Sequence, residues 1–320
     1  MADQAISLIC TVRDEADNIA ALLDSMLAQS RLPDEIVIND CGSRDTTAAI
    51  VAQYAARTPR IRLIAGGCNI ASGRNHAIEQ AAGPLIACTD AGLVLDRYWL
   101  ERIIAPLCAG HADHVGGFFC AAPRSRFELA LGATNYRDAD EIDADALFAL
   151  WQSMAFRKAV WQAVGGFPEW LSHCEDVVFD RAVSRAGYRR AFVADALVYF
   201  RPRSSMRAFA RQYVLYARGD GIAGLWPLRH AIRYGTYTTL LLLLTVGWRA
   251  PRWRGLVAAL LLIGGMAYTH RPYRRLWRAT RQLSPADRAL TLALVPVIRV
   301  TGDGAKMLGY PLGILRRFWR

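Results

Sequence analysis

The chain carries seven cysteines, at positions 10, 41, 68, 88, 108, 120 and 174, but no Cys-x-x-Cys pair among them. A structural zinc site is therefore unexpected, and an odd, dispersed set of cysteines reads as free thiols in a reducing cytosol. The opening Met-Ala-Asp-Gln-Ala holds an acid where a leader would be basic and then apolar, so no signal peptide is expected. No Gly-x-Gly-x-x-Gly follows the first apolar run, which speaks against a dinucleotide dehydrogenase. Neither an internal repeat nor a low-complexity linker interrupts the chain. Acidic residues are scarce only in the tail. From Gly221 onward there are 16 basic and two acidic residues, a surplus of +14, which leaves −3 for the first 220 out of a total of +11.

That split changes the meaning of the net charge. An acidic front half does not suit nucleic acid, so no nucleic-acid partner is expected. A basic tail interleaved with Trp, Tyr and Leu suits an anionic membrane face. With 320 residues, 53% hydrophobic and 21% charged, the chain can hold one large α/β domain or two smaller ones.

Short β-branched runs at residues 5–12, 35–38, 61–64 and 85–89 read as strands. Helical spacing lies between them at 18–28, 48–56 and 72–82. Strands alternating with helices predict a parallel sheet, whose ligands gather at the carboxyl ends of the strands. Thr11–Glu15, Asp40–Ser43 and Asp90–Gly92 then surround one crevice. Beyond Val115 the pattern is less regular, with strands expected at 153–156 and 192–200 and a helix over 177–186 that stops at Gly187. The first 220 residues read as one domain and 221–320 as a helical tail. Two uncharged stretches in the tail, 234–248 and 255–269, have Arg, Trp and Tyr flanks. Each is about 15 residues, roughly 22 Å as helix and short of the ~30 Å hydrocarbon core, so a spanning pair and an interfacial hairpin are both open.

The strand-end carboxylates carry the chemistry. Asp40 before Cys41-Gly-Ser43 either closes an Asx turn or accepts from a base or ribose. Asp90 in Thr89-Asp-Ala-Gly92 can hold a hard cation that also binds a diphosphate. Asp45 and Asp96 read as helix caps. Glu175-Asp176 opens a helix, where the dipole favours acids. One of the pair can be structural while the other faces the crevice. The preceding Gly165-Gly-Phe-Pro-Glu-Trp-Leu171 is an aromatic-bearing loop on which sugar rings can stack.

Together these motifs resemble glycosyltransferase family 2 with the GT-A fold, over residues 6–220. Val12-Arg-Asp-Glu15 is similar to the opening motif, and Asp40-Cys-Gly-Ser-Arg-Asp45 to the D-x-G-S-x-D loop. Ala71-Ser-Gly-Arg-Asn75 resembles the A-x-x-R-N helix start. Thr89-Asp-Ala-Gly92 stands where the family has its D-x-D. Gly165-Gly-Phe167 with Cys174-Glu-Asp176 resembles the G-G-F loop and E-D base motif, and Arg211-Gln-Tyr213 through Tyr216 the closing segment. The resemblance implies a nucleotide-diphospho-sugar donor bound by Thr11, Arg13, Glu15, Asp40, Arg74 and Asp90. It implies Mg²⁺ or Mn²⁺ on Asp90, and Asp176 as the base of an inverting displacement. Gly166, Phe167, Trp170 and Glu175 would face the acceptor, a lipid-linked or envelope glycan at the cytoplasmic face of the inner membrane.

Two positions depart from the pattern. Gly92 replaces the second acid of the D-x-D, and Val198-Tyr-Phe-Arg201 has no histidine. These departures motivate an alternative, a catalytically inactive sugar-nucleotide-binding relative acting as scaffold or regulator. A nucleotidyltransferase is disfavoured, because Arg13-Asp-Glu-Ala-Asp17 is acidic where a basic glycine-rich phosphate loop would be needed.

Overall fold

A computed structural model describes residues 4–142 and 151–319. Met1–Asp3, on which part of the leader expectation rests, lie outside them. The order is β1 (Ile6–Val12), α1 (Ile19–Leu27), β2 (Glu35–Asp40), α2 (Thr47–Arg57), β3 (Ile61–Ala65), α3 (Ile70–Gln80), β4 (Leu85–Asp90), β5 (Leu93–Leu95) and α4 (Trp99–Cys108). Then come β6 (His114–Ala121), α5 (Arg126–Asn135), β7 (Met154–Arg157), α6 (Lys158–Val164), α7 (Glu175–Arg185) and β8 (Arg190–Phe200). The chain ends in α8 (Met206–Ala223), α9 (Pro227–Arg249), α10 (Arg254–Ala279) and α11 (Pro285–Phe318).

Among the described residues one sheet holds all eight strands in the order β3-β2-β1-β4-β7-β6-β8-β5. The first four are parallel, as the alternation predicts, and β7 then runs antiparallel between β4 and β6. The central strands are enclosed on both faces: Ile6, Leu8, Ile9, Ile36, Val37, Ile86 and Ala87 have no exposed surface. Continuous apolar runs of this kind are what a doubly covered parallel sheet requires. Register sets Thr11 beside both Asn39 and Asp90, so β1, β2 and β4 end at one level. The site is built on that level.

The chain divides into two compact units: 4–122 with 139–201, and 123–138 with 202–319 among the described residues. This differs from the expected boundary in two ways. Residue 220 falls inside the unbroken helix α8, where no helix-stopping residue occurs before Gly224 in the left-handed conformation. Segment 123–138 also leaves the first unit, because Ala130 and Leu131 of α5 are buried against Phe209, Leu276, Val295 and Ile298. No hydrophobic periodicity within ten residues could announce that partner.

In the second unit the two uncharged stretches fall within α9 and α10, joined at Pro251–Trp253 into an antiparallel hairpin. Among the described residues no helix is long and apolar enough to cross a membrane. The seven cysteines are all free. Burial pushes the thiols of Cys10 and Cys88 well above their usual range, which makes them inert packing groups.

Candidate active site

Two loops at the strand ends are laced together by hydrogen bonds. After β1, Asp14 takes a positive φ of 54°, its amide donates to Ser43 Oγ at 3.0 Å, and its carboxylate accepts from the Arg44 amide at 2.7 Å. The Glu15 amide donates to Thr47 Oγ1, and the Ala16 amide to Asp45. Asp45 also accepts from the Thr47 amide and hydroxyl, so it caps α2 from one position before the geometric cap, Thr46. Asp96 instead closes the turn before α4, whose cap position is Tyr98. Asp40 is closed as an Asx turn, accepting from both the amide and hydroxyl of Ser43 on Oδ1.

Between these loops lie polar atoms without internal partners. Thr11 Oγ1 and Asn39 Oδ1 are buried and make no hydrogen bond among the described residues. Buried polar groups of this kind are satisfied by water or ligand. Asn39 escapes sequence reasoning because it lies inside the apolar run of β2, and only the sheet register aligns it with Thr11. Arg13 is exposed, with its guanidinium 4.0 Å from Asp14.

Helix α3 enters with a full capping box, Asn69 and Ser72 each satisfying the other's backbone. Gly73 is required there: a Cβ would stand 2.3 Å from Cys41 Sγ and 2.8 Å from Thr11 Cγ2. The close approach sends Arg74 into the interior, where it is 2% exposed. Nη2 lies 2.9 Å from Asp90 Oδ1, and Nη1 makes a short ion pair with Glu175. The guanidinium therefore ties the end of β4 to the start of α7. Burial pushes the Asp90 carboxyl up, Arg74 pulls it back, and Asp176 adds to the rise. Net, Asp90 takes up a proton above its ordinary range.

Three expected placements change. Arg74 commits both ends to carboxylates and does not reach outward to a nucleotide. Glu175, expected on the acceptor side, is 4% exposed and turned to Arg74. Successive helical residues point about 100° apart, so Glu175 and Asp176 cannot both face the same way. Asp176 is the half-buried member, accepting from the Val177 amide at 2.9 Å. Phe167 is 1% exposed, stacked on Phe179 at 4.2 Å between centroids, so its ring is core and not a sugar platform.

Asn75 explains why. Its Oδ1 accepts from the Phe167 amide at 2.8 Å and Trp161 Nε1 at 3.0 Å, while Nδ2 donates to the Phe167 carbonyl and to Glu169. Gly166, at φ 74°, packs against this clamp; a Cβ there would meet Asn75 Oδ1 at 2.9 Å. Trp170 stays 48% exposed and is the aromatic face left for a ring. A cavity of about 440 Å³ opens beside it, lined by Asn75, Phe167, Val178 and Phe179 among others.

Gly92 has φ 77°, and a Cβ there would lie 3.6 Å from Glu15 Oε2. A carboxylate thus stands next to the position where the motif lacks one.

Residues 7–165 match the family model described as "Glycosyl transferase family 2". The chain belongs to glycosyl transferase family 2. Among the family's characterised relatives, a succinoglycan biosynthesis protein, ExoA, of Rhizobium meliloti is 27% identical over 303 residues, covering 85% of each chain. The glycosyltransferase AglE of Haloferax volcanii is 26% identical over 230 residues, 70% of this chain and 74% of AglE. A solved mannosyltransferase from Pyrobaculum calidifontis, in complex with GDP-Man and Mn²⁺, shares the fold with a TM-score of 0.56. It is 18% identical, and the match covers 99% of this chain and 87% of that one. The protein is a glycosyltransferase with a family 2 catalytic domain, and nucleotide-sugar glycosyl transfer is its activity.

Proposed function

We propose that the transfer inverts the anomeric carbon, with Asp176 deprotonating the acceptor hydroxyl as it attacks. One observation carries this reading. Buried Arg74 holds Asp90 and Glu175 on one guanidinium, and Glu175 fixes the helix turn on which Asp176 stands. Donor and acceptor sides are thereby set at a fixed separation, which a single displacement requires. On the donor side Thr11, Arg13, Asp40 and the neighbouring Asn39 face the nucleotide. Trp170 and Gly166 border the acceptor.

The residues present fit a hard divalent cation that takes most ligands from substrate and water. Among the described residues no group of three or more acidic, His or Cys side chains converges. Mg²⁺ and Mn²⁺ sites often need only one or two carboxylates beside the phosphates of a substrate. Asp90 presents its second oxygen, and Glu15 stands beside Gly92. When bound, such a cation neutralises charge on the leaving diphosphate. Asp90 and Glu15 would hold it, and Arg74 keeps Asp90 oriented.

The acceptor we infer is a hydroxyl of an envelope or lipid-linked glycan, handled at the cytoplasmic membrane face. The relative named for succinoglycan biosynthesis supports this. So do the basic tail and the exposed apolar side chains of α9 and α10.

The test is a thermal-shift screen of nucleoside diphosphates and their sugars, with and without Mn²⁺, followed by donor turnover. We expect metal-dependent stabilisation by one nucleotide class, lost in Asp90→Ala. Asp176→Asn should keep that stabilisation while turnover disappears. A donor-binding Asp176→Asn variant with undiminished turnover would remove Asp176 from the mechanism.

A further inference from the structure

Within the second unit, α9, α10 and α11 enclose a polar cluster that glycosyl transfer as described does not use. Asp303 of α11 accepts from Arg233 Nε at 2.7 Å and from the hydroxyls of Tyr268 and Tyr237. Arg233 also meets His230, which is turned to Asp220 at 3.2 Å. Both local carboxylates are therefore already engaged.

Two further cations share this space. Arg299 gives Nη2 to the Tyr268 carbonyl and lies over the Tyr268 ring at 4.1 Å. Its Nε is buried without a hydrogen-bond partner among the described residues. Lys306 lies half-buried with Nζ 4.6 Å above the Tyr213 ring, and among the described residues it makes no hydrogen bond or ion pair. Burial, with Arg233 beside it, lowers the Lys306 ammonium to about 8. A desolvated cation without an acceptor is costly, and folded proteins pair such groups with an anion.

The surroundings indicate the carrier of that anion. Past the cluster toward the hairpin tip, Leu241, Leu242, Trp248, Leu262, Ile263 and Met266 are exposed, each by more than half. Arg249, Arg252 and Arg254 stand at the tip, in a tail with a surplus of +14. An apolar hairpin with cations and tyrosines at its base has the composition of a segment lying at the headgroup level of an anionic bilayer.

We propose that Lys306, Arg299 and Arg233 form a binding site for the phosphate group of a lipid, with the α9–α10 hairpin seated in the same membrane surface. Lys306 and Arg299 supply the donors left over after Asp303 is satisfied, and the tyrosine hydroxyls border the site. The proposal rests on the membrane-surface reading above, but not on the identity of the glycosyl donor.

The experiment uses the full chain and vesicles of phosphatidylcholine, alone or doped with phosphatidic acid or, at equal surface charge, with a fatty acid. The chain has only two lysines, Lys158 and Lys306, so acylation by an amine reagent near pH 8 reports Lys306 by mass spectrometry. Lys158 serves as the internal control. We expect phosphatidic acid vesicles to protect Lys306, and to bind the protein about tenfold more tightly than fatty-acid vesicles, one charge-assisted contact converted to affinity. Lys306→Met and Arg299→Gln should each lose that preference while keeping the weaker binding to fatty-acid vesicles. Equal binding to both vesicle types, with Lys306 unprotected, overturns the site but leaves membrane attachment standing. Binding to no vesicle overturns the lipid as occupant and the membrane reading together. Protection by inorganic pyrophosphate as strong as by phosphatidic acid vesicles overturns the lipid as the specific carrier.

Discussion

Among the described residues of the sheet-bearing unit large apolar side chains lie inside, with Leu32, Val94, Tyr98, Trp170 and Tyr199 as exposed exceptions. In the helical unit the exposed set runs from Tyr216 and Leu228 through the α9–α10 hairpin to Phe318 and Trp319. Polar groups show the opposite distribution. The first unit buries a guanidinium, Arg74, paired with two carboxylates, whereas the second encloses cations in excess of carboxylates. Exposed apolar patches like that of the second unit mark interaction surfaces.

Substitutions can break or sharpen this contrast. The largest effect is expected in the first unit, where Asp176→Asn should reduce kcat by about 10²–10⁴, the usual worth of a positioned base, with donor affinity unchanged. Next is Arg74→Met, which leaves Glu175 and Asp90 facing each other in a buried site. It should cost about 3–5 kcal/mol in denaturant unfolding, because a broken buried pair strands its partner. In the second unit the ranking of readouts reverses. Leu241→Asn with Leu262→Asn should change unfolding by less than about 0.5 kcal/mol per site. Vesicle affinity should fall by about tenfold or more for each leucine withdrawn from the bilayer. Equal losses in both readouts would mean that the hairpin is an ordinary core element.

Two pH effects are smaller. Because the Asp90 carboxyl is raised, metal-assisted donor binding should fall on acidification before ordinary carboxylates protonate, and titration calorimetry across that range checks it. His114 lies in the sheet core 3.4 Å from Asp180, yet among the described residues neither ring nitrogen finds a hydrogen bond, and burial lowers it from 6.5 to about 3. It is buried neutral, so the unfolded chain binds the proton first. Stability is full above 6.5 and declines as pH falls toward 3. His114→Asn should flatten that part of the unfolding profile.

Much of the donor side was legible in the chain. The strands at 5–12, 35–38, 61–64 and 85–89 follow from β-branched runs, and the loops after them from Asp and Gly at fixed offsets. Strands β5 and β6 were not legible, since Leu93–Leu95 is too short for a pattern and Gly116-Gly117 interrupts the other. The aromatic loop misled for a specific reason. Phe167 looks like a sugar platform in sequence, but Asn75, 92 residues earlier, hydrogen-bonds its backbone and draws the ring inward.

By itself the sequence determined the family, the parallel half of the sheet, the carboxylates at the strand ends and a tail that is basic and apolar together. These follow from local composition, periodicity and motif order, which need no knowledge of distant partners. Only the tertiary structure decided that Arg74 is an internal bridge, that Glu175 turns inward to it, and that α5 belongs with the tail. It alone gathered Arg233, Arg299 and Lys306 around one filled carboxylate. Each of those is a contact between residues far apart in the chain, and such contacts exist only once the helices and strands have packed.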